Sequence, residues 1–255
     1  MGEDSEKKLS RWLQERVDAF GFAPVERFTE APGKHHPSRI CRDAATVIVY
    51  GTVVPRGILD SPSYALHLLQ RSYHSAYAYL DQVGLLLSNL LETEGHCAVV
   101  IPSYAPLVFH GLEPWGILSL KHAAELAGLG TFGRSGLVFH TRYGALLRLG
   151  AVVTSASLPG SPLAEGDPCP RGCNACAASC PAGAFQGTSF QKMTCLGYSV
   201  KHGIYRHVLR DDYGRDNLEM VINTTGYNYW IDCAQCLQTC PLNILGITRG
   251  KDRES

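Results

Sequence analysis

Eight of the ten cysteines of this 255-residue chain lie in its last third, and their spacing leaves few folds open to it. Residues 169–181 read CPRGCNACAASCP and residues 233–241 read CAQCLQTCP, with Cys195 alone between the two runs. The set is Cys169, Cys173, Cys176, Cys180, Cys195, Cys233, Cys236 and Cys240. Eight thiolates satisfy two cubane [4Fe–4S] clusters, four for each.

The first run has the spacing C-x3-C-x2-C-x3-C-P and the second C-x2-C-x3-C-P. Bacterial ferredoxins use C-x2-C-x2-C-x3-C-P, and the cysteine before the proline ligates the other cluster. The extra residue of the first run falls in Pro170-Arg171-Gly172, where Gly172 absorbs it. The second run is one cysteine short, and Cys195 supplies it from a distance. Crossing the last cysteine of each run gives cluster one Cys169, Cys173, Cys176 and Cys240. Cluster two then takes Cys180, Cys195, Cys233 and Cys236. Zinc is the main alternative, since four-cysteine tetrahedral sites also use paired cysteines; the two Cys-Pro endings and the three-plus-one count favour iron–sulfur. The spacing says electron transfer, without saying which reaction. Ala182, Ala184 and Phe185 after the first run, and Leu242 and Ile244 after the second, give each cluster a dry apolar wall.

The rest of the composition is that of a globular protein with balanced charge, 23 Lys and Arg against 23 Asp and Glu. That argues against nucleic-acid binding through a strong overall field, while leaving a local basic patch open. Arg134, Arg142, Arg148, Lys201 and Arg206 are the basic residues that would serve one. The N-terminus, MGEDSEKKLSRWLQ, is charged and amphipathic and does not read as a signal peptide. No stretch approaches the roughly 18 unbroken apolar residues of a membrane span. A cytoplasmic protein without membrane association is expected, where clustered cysteines mean metal more often than disulfides. Cys41 and Cys97 lie outside the runs and read as small buried apolar residues.

Taken in order, residues 5–20 read as a packing helix stopped by Gly21, and 31–39, with His35-His36, as a solvated loop. AATVIVYGTVV (44–54) is a buried strand, 62–93 one or two helices, and CAVVIP (97–102) a second buried strand. Residues 103–117 read as an irregular loop, and 118–127 as a helix closed by Gly128. GLGTFGRSG (128–136) is dense in glycine, which lets a backbone approach a ligand closely. Residues 136–140 and 145–154 read as two strands with TRYG as their turn. Between 200 and 232 lie a charged helical piece (Arg206, His207, Arg210, Asp211, Asp212) and the aromatic segment Tyr227-Asn228-Tyr229-Trp230. The fold class expected is α+β, with 1–160 as one domain and 161–255 as a cysteine-rich second domain.

Three stretches resemble epoxyqueuosine reductase and its wider family of cobalamin-dependent iron–sulfur reductases, which includes the reductive dehalogenases. They are HAAELAGLGTFGRSGLVF (122–139), CNACAASCPAGAF (173–185) with TCLGY around Cys195, and CAQCLQTCPLN (233–243). Ser72-Tyr73-His74 is a weaker echo of a family triplet. The resemblance implies a nitroreductase-like domain that holds a corrinoid, followed by a bacterial two-[4Fe–4S] ferredoxin-like domain. It implies cobalamin as cofactor, with flavin the lesser alternative, and an electron donor such as a ferredoxin or flavodoxin. By the same resemblance the corrinoid-binding positions are Tyr73, His74, Gly128, Leu129, Gly130, Phe132, Gly133 and Ser135.

The chain departs from the family pattern where a catalytic aspartate is usual: HGLEPWGI stands there, so Glu113, His110 and Tyr104 are the candidate proton donors. Ser135 replaces the usual asparagine, and the helical-repeat module for tRNA that the family appends is not expected here. The reading drawn from this is a corrinoid-dependent reductase of a small or nucleoside-type substrate. Its alternatives are an electron-transfer or corrinoid-activating protein, and a tRNA epoxyqueuosine reductase proper.

Overall fold

The computed structural model describes residues 3–104, 106–111, 113–187, 189–202 and 229–245. Arg206, His207, Arg210, Asp211, Asp212, Tyr227 and Asn228 lie outside them. The N-terminal part opens with α1 (Glu3–Gln14), β1 (Ala19–Pro24) and β2 (Thr46–Val53). The long helix α2 (Ala65–Thr93), β3 (Ala98–Ile101) and the hairpin of β4 (Leu107–His110) and β5 (Glu113–Gly116) follow. Then come α3 (Leu120–Leu126), β6 (Thr131–Phe132), β7 (Val138–Phe139) and β8 (Leu147–Thr154).

Four strands form one antiparallel sheet in the order β1-β2-β8-β3. Side chains of a strand alternate between faces, and here both faces are covered. Val47, Val49, Ala151 and Val153 pack with Ala123, Ala124 and Ala127 of and beside α3. Ile48, Tyr50 and Val152 pack on the other face with Leu9 and Leu13 of α1 and Leu80, Val83, Leu87 and Leu91 of α2. Burial of each such aliphatic side chain contributes about 1.5–3 kcal/mol. This explains why β2 reads as a continuous apolar run instead of an alternating one.

The architecture is α+β, as expected, and it corrects several elements. The first helix stops at Gln14, and Phe20 belongs to a strand. Asp18 makes the turn: its Oδ2 accepts from the Val53 N–H (2.8 Å) and the Thr52 hydroxyl (2.9 Å). Gly21 is no helix stop; a Cβ there would lie 2.1 Å from the Ala127 carbonyl oxygen, so its bareness lets α3 lie against β1. The loop expected at 103–117 contains the β4–β5 hairpin, turned at Gly111 (φ +64°). The strand pair expected across TRYG is only partly formed. A single bridge joins His140 and Gly144, while β7 pairs with β6 and β8 runs into the sheet between β2 and β3.

The cysteine-rich part carries α4 (Ala175–Ala178), β9 (Phe185–Gln186), β10 (Ser189–Phe190), α5 (Lys192–Ser199) and β11 (Val200–His202). It ends in β12 (Tyr229–Ile231), α6 (Gln235–Gln238) and α7 (Pro241–Leu245). A third core joins it to the sheet domain: Val54, Leu59, Leu69, Tyr73, Phe139 and Leu146 pack with Tyr229, Ile231, Ala234, Leu237 and Cys240. Two buried amides secure that joint. Gln70 accepts from the Ile231 N–H and donates to the Tyr229 carbonyl, both at 2.9 Å. Asn243 accepts from the Ala145 N–H and donates to the Leu237 carbonyl, again both at 2.9 Å.

Candidate iron–sulfur centres and the adjoining cavity

Single helical turns carry part of each run: Cys176 lies on α4 and Cys236 on α6. Cys169, Cys173, Cys176 and Cys240 together line one small cavity, walled by Phe139, Ala175, Pro170 and Leu242. Burial pushes the Cys176 thiol up, and the neighbouring Cys169 and Cys173 push it further. Cys240 is raised by burial and by the same two neighbours. The second set gathers in the same way. Cys195 on α5 is raised by burial and then by Cys180 and Cys233, although the Ser199 hydroxyl, 3.7 Å away, offsets part of this. Cys236 is pushed up to about 12 by burial first, then by Cys195, Cys233 and Cys176. The Ser179 and Thr239 hydroxyls, 3.0 Å apart, tie the two cysteine runs together.

Cys236 also has Cys176 of the first set nearby, and the cysteine-rich region is compatible with iron–sulfur ligation. Crowded thiols that resist ionisation beside one another lose their protons when a metal centre takes the charge. Among the described residues no three His, Cys, Asp or Glu side chains sit close enough to share one metal ion. A cubane attaches its four thiolates to four separate irons, so it does not ask for such a cage. Backbone N–H groups of Arg134 and Ala184 point at the sulfurs of Cys169 and Cys180, each at 3.4 Å.

The glycine-dense segment runs directly into this arrangement. A Cβ on Gly133 would lie 2.4 Å from the Phe139 ring and 3.3 Å from the Cys169 sulfur. Ser135 borders the first thiol cavity, and its buried hydroxyl has no hydrogen-bond partner. Gly128 and Gly130 make their closest approaches to the chain's own backbone, at Pro162 and Phe139. Phe132 packs on His122 with ring centroids 4.8 Å apart.

Leu129 lines a second, open-mouthed cavity of about 150 Å³, with Tyr77, Ser103, Lys121, His140 and Arg148 among its other walls. The Ser103 hydroxyl is buried there without a partner. The Arg148 guanidinium lies 4.4 Å above the Tyr73 ring and donates to the Leu147 and Ala145 carbonyls. From Tyr73 a row of tyrosines extends through Tyr77 (5.9 Å), Tyr104 (6.1 Å) and Tyr229 (4.7 Å), within the same core as Cys236. Cys236 of the second thiol set and Cys240 of the first both belong to this core, and Tyr77 is the member of the row that lines the cavity. His74 stands beside the row, 2.6 Å from the Gln70 amide nitrogen and edge-on to Tyr229. Burial lowers its pKa.

The three candidate proton donors have different surroundings. Tyr104 stands in the tyrosine row, next in sequence to Ser103. Glu113 is paired with Lys192 at 3.1 Å, and that hydrogen bond holds its carboxyl below the usual carboxylate range. His110 Nε2 lies 3.0 Å from His35 Nε2. His35 is 5% exposed and stacked on Trp115, so the solvated loop pair expected for His35-His36 is corrected at its first member. The hairpin that buries His35 was itself unforeseen. Cys97, expected to be buried, is exposed. Sequence reasoning also missed Gln70 and Asn243; a glutamine on an amphipathic helix carries no signal of burial.

No protein-family model matches the chain. Among curated proteins it is 30% identical over 190 residues to the epoxyqueuosine reductase of Francisella cf. novicida, a match covering 71% of this chain and 45% of that protein. It is 30% identical over 211 residues to that of Lactococcus garvieae, covering 81% and 54%. The chain thus spans about half the length of these relatives. Among solved structures it matches a selenomethionine-labelled epoxyqueuosine reductase (TM-score 0.59, 16% identity, 94% of this chain and 66% of that one). A catabolic reductive dehalogenase also shares the fold (TM-score 0.54, 15% identity, 89% and 30%). The resemblance read from the sequence is borne out: the curated relatives carry the name of an oxidoreductase, and the fold is theirs and the dehalogenases'.

Proposed function

We propose that this relative of the epoxyqueuosine reductases is an iron–sulfur reductase that carries electrons through two [4Fe–4S] clusters to a bound cobalamin, which serves reduction of a small or nucleoside-type substrate. On this reading residues 1–160 form the nitroreductase-like domain that holds the corrinoid, and 161–255 the ferredoxin-like domain. The observation that carries it is one core shared by Cys236, Cys240 and the tyrosine row, whose Tyr77 lines the cavity. When bound, the corrinoid would supply a low-potential, strongly nucleophilic metal centre. The cavity lining would meet only part of so large a molecule. The unpartnered Ser103 hydroxyl, Lys121 and Arg148 suit its amide-bearing rim. Leu129 and the tyrosines keep water from the path between thiols and cavity.

Tyr104 is the proposed proton donor. Glu113 is held as the anion by Lys192, and His110 is engaged with His35. The Glu113–Lys192 pair also favours a second reading, an electron-transfer or corrinoid-activating protein with no substrate chemistry of its own. One solved structure that shares the fold is an epoxyqueuosine reductase with an epoxyqueuosine-modified tRNA stem loop, so tRNA is the third substrate class to test.

The experiment is an anaerobic preparation with iron and sulfide counted, titrated with cobalamin while the corrinoid spectrum is followed. Absence of any spectral change would remove the cofactor from the proposal. Turnover is then measured on the epoxyqueuosine nucleoside and on a modified stem loop. Tyr104→Phe is expected to lower it by roughly 100-fold, the usual scale of a lost general acid, while Glu113→Gln leaves it nearly unchanged. The reverse pattern would transfer the role to Glu113. Cobalamin binding without turnover on either probe would favour the second reading.

A further inference from the structure

Cys41 and Cys97 are the two cysteines that neither thiol set uses. They are 56 residues apart in the chain, yet their sulfurs lie 3.0 Å apart, the Cys41 thiol donating to the Cys97 sulfur. Cys41 is buried and Cys97 exposed. Both backbones are fixed. The Cys41 N–H donates to the Pro37 carbonyl (3.2 Å) and the Cys97 N–H to the Ser155 hydroxyl (2.9 Å). The Cys97 carbonyl accepts from the Ser155 N–H (2.9 Å) and the Thr154 hydroxyl (2.8 Å). A disulfide is about 2.05 Å long, so bond formation asks the sulfurs to close by about 1 Å.

We propose that Cys41 and Cys97 form a reversible dithiol–disulfide site that reacts with low-molecular-weight disulfides, Cys97 attacking first and Cys41 resolving. The asymmetry of the pair sets that order. Only Cys97 is open to a reagent, and the buried Cys41 thiol stands directly behind it, 3.0 Å from its sulfur. Burial, with Cys97 as the next cause, pushes the Cys41 thiol up to about 12. Capping the Cys97 sulfur removes that second cause at the moment Cys41 must act.

The steps balance. The Cys97 thiolate attacks one sulfur of the small disulfide, forms a mixed disulfide and expels one thiolate. Cys41 gives up its proton, attacks the Cys97 sulfur and expels the second thiolate. Two protein thiols are oxidised by two electrons, the reagent is reduced to two thiols, and the protein's two protons end on them. The product fastens the segment that carries buried His35, ending at Cys41, to the start of edge strand β3. The site is independent of the clusters and of any corrinoid.

The test uses the full chain with its clusters reconstituted, kept anaerobic in a glutathione redox series. Samples are quenched in acid, alkylated under denaturing conditions, digested and mapped by mass spectrometry. Iron content and visible absorption report that the cluster cysteines stay ligated. The expected product is a Cys41–Cys97 cross-linked peptide that a dithiol reductant reverses. Cys41→Ala should stop at glutathione on Cys97, and Cys97→Ser should leave Cys41 unmodified. Glutathione persisting on Cys97 in the unsubstituted protein would overturn the proposal. So would both thiols remaining free across the series. Either result is read on the unsubstituted protein, so misfolding of a variant does not shield the proposal.

Discussion

Replacing Cys195 by serine is expected to halve the iron and acid-labile sulfide of the reconstituted protein, from about eight iron atoms per chain to about four. Cys195 is the one member of the eight that belongs to neither compact run. It is delivered by α5, and its thiol neighbours are Cys180 and Cys233. A serine hydroxyl ionises far less readily than a thiol and binds iron more weakly, so the second site should lose its metal. The first site keeps all four sulfurs around its own cavity and should keep its cluster. Cys176→Ser should do the converse. Electron paramagnetic resonance of the reduced variants would then show one cluster signal each, and the two should differ. Loss of both clusters from either substitution would mean that the sites are not separable. Retention of both in Cys195→Ser would break the crossed grouping. On the proposed function electrons pass through both clusters, so Cys195→Ser should also abolish turnover while cobalamin still binds.

The two cysteine runs were legible in the sequence, and covalent spacing limits which of their sulfurs can face one another. The buried strands were legible for a related reason, since runs such as TVIVYGTV and LRLGAVVT have β-branched and apolar residues at nearly every position. What the sequence hid was set by contacts distant in the chain. β1 carries Phe20 and Phe22 on either side of Gly21, a pattern that continues the preceding helical stripe as easily as it starts a strand. Its strand identity comes from pairing with β2 and from the close approach of Ala127. The β4–β5 hairpin holds Pro114 and Gly116 and so reads as loop; pairing of Val108 with Trp115 makes it a ribbon, and that ribbon buries His35. The glycine-dense segment was visible as such. The surfaces its glycines approach, at Pro162, Phe139 and Cys169, come from three other places in the chain. The short distance between Cys41 and Cys97 was equally hidden, because nothing in two isolated cysteines 56 residues apart predicts contact.

Gly128→Ala is expected to destabilise the chain by about 3 kcal/mol, a fall in Tm of roughly 8 °C for a protein of this size. Gly128 closes α3 in a Schellman arrangement. Its N–H donates to the Glu125 carbonyl (3.0 Å), and the Leu129 N–H donates to the Ala124 carbonyl (2.9 Å). The accompanying apolar contact is present too, since Leu129 and Ala124 share the first core. The residue stands at φ +75°, where a side chain costs of order 1 kcal/mol or more. A Cβ would also lie 2.0 Å from the Pro162 carbonyl oxygen, a backbone atom that cannot swing aside. Gly95 separates the two causes. It stands at φ +86° with nothing within 4 Å of its added Cβ, so Gly95→Ala should cost only the conformational part. Equal losses for the two variants, read from paired thermal or denaturant melts, would rule out the Pro162 contact as a source of stability. A larger loss at Gly128 has a further consequence, because residue 162 begins the connection that leads to Cys169. A Cβ that pushes this connection away should loosen the first thiol set before the second. Gly128→Ala is therefore expected to release iron from the Cys169 site at a lower temperature than from the Cys195 site, an order that Gly95→Ala should not produce.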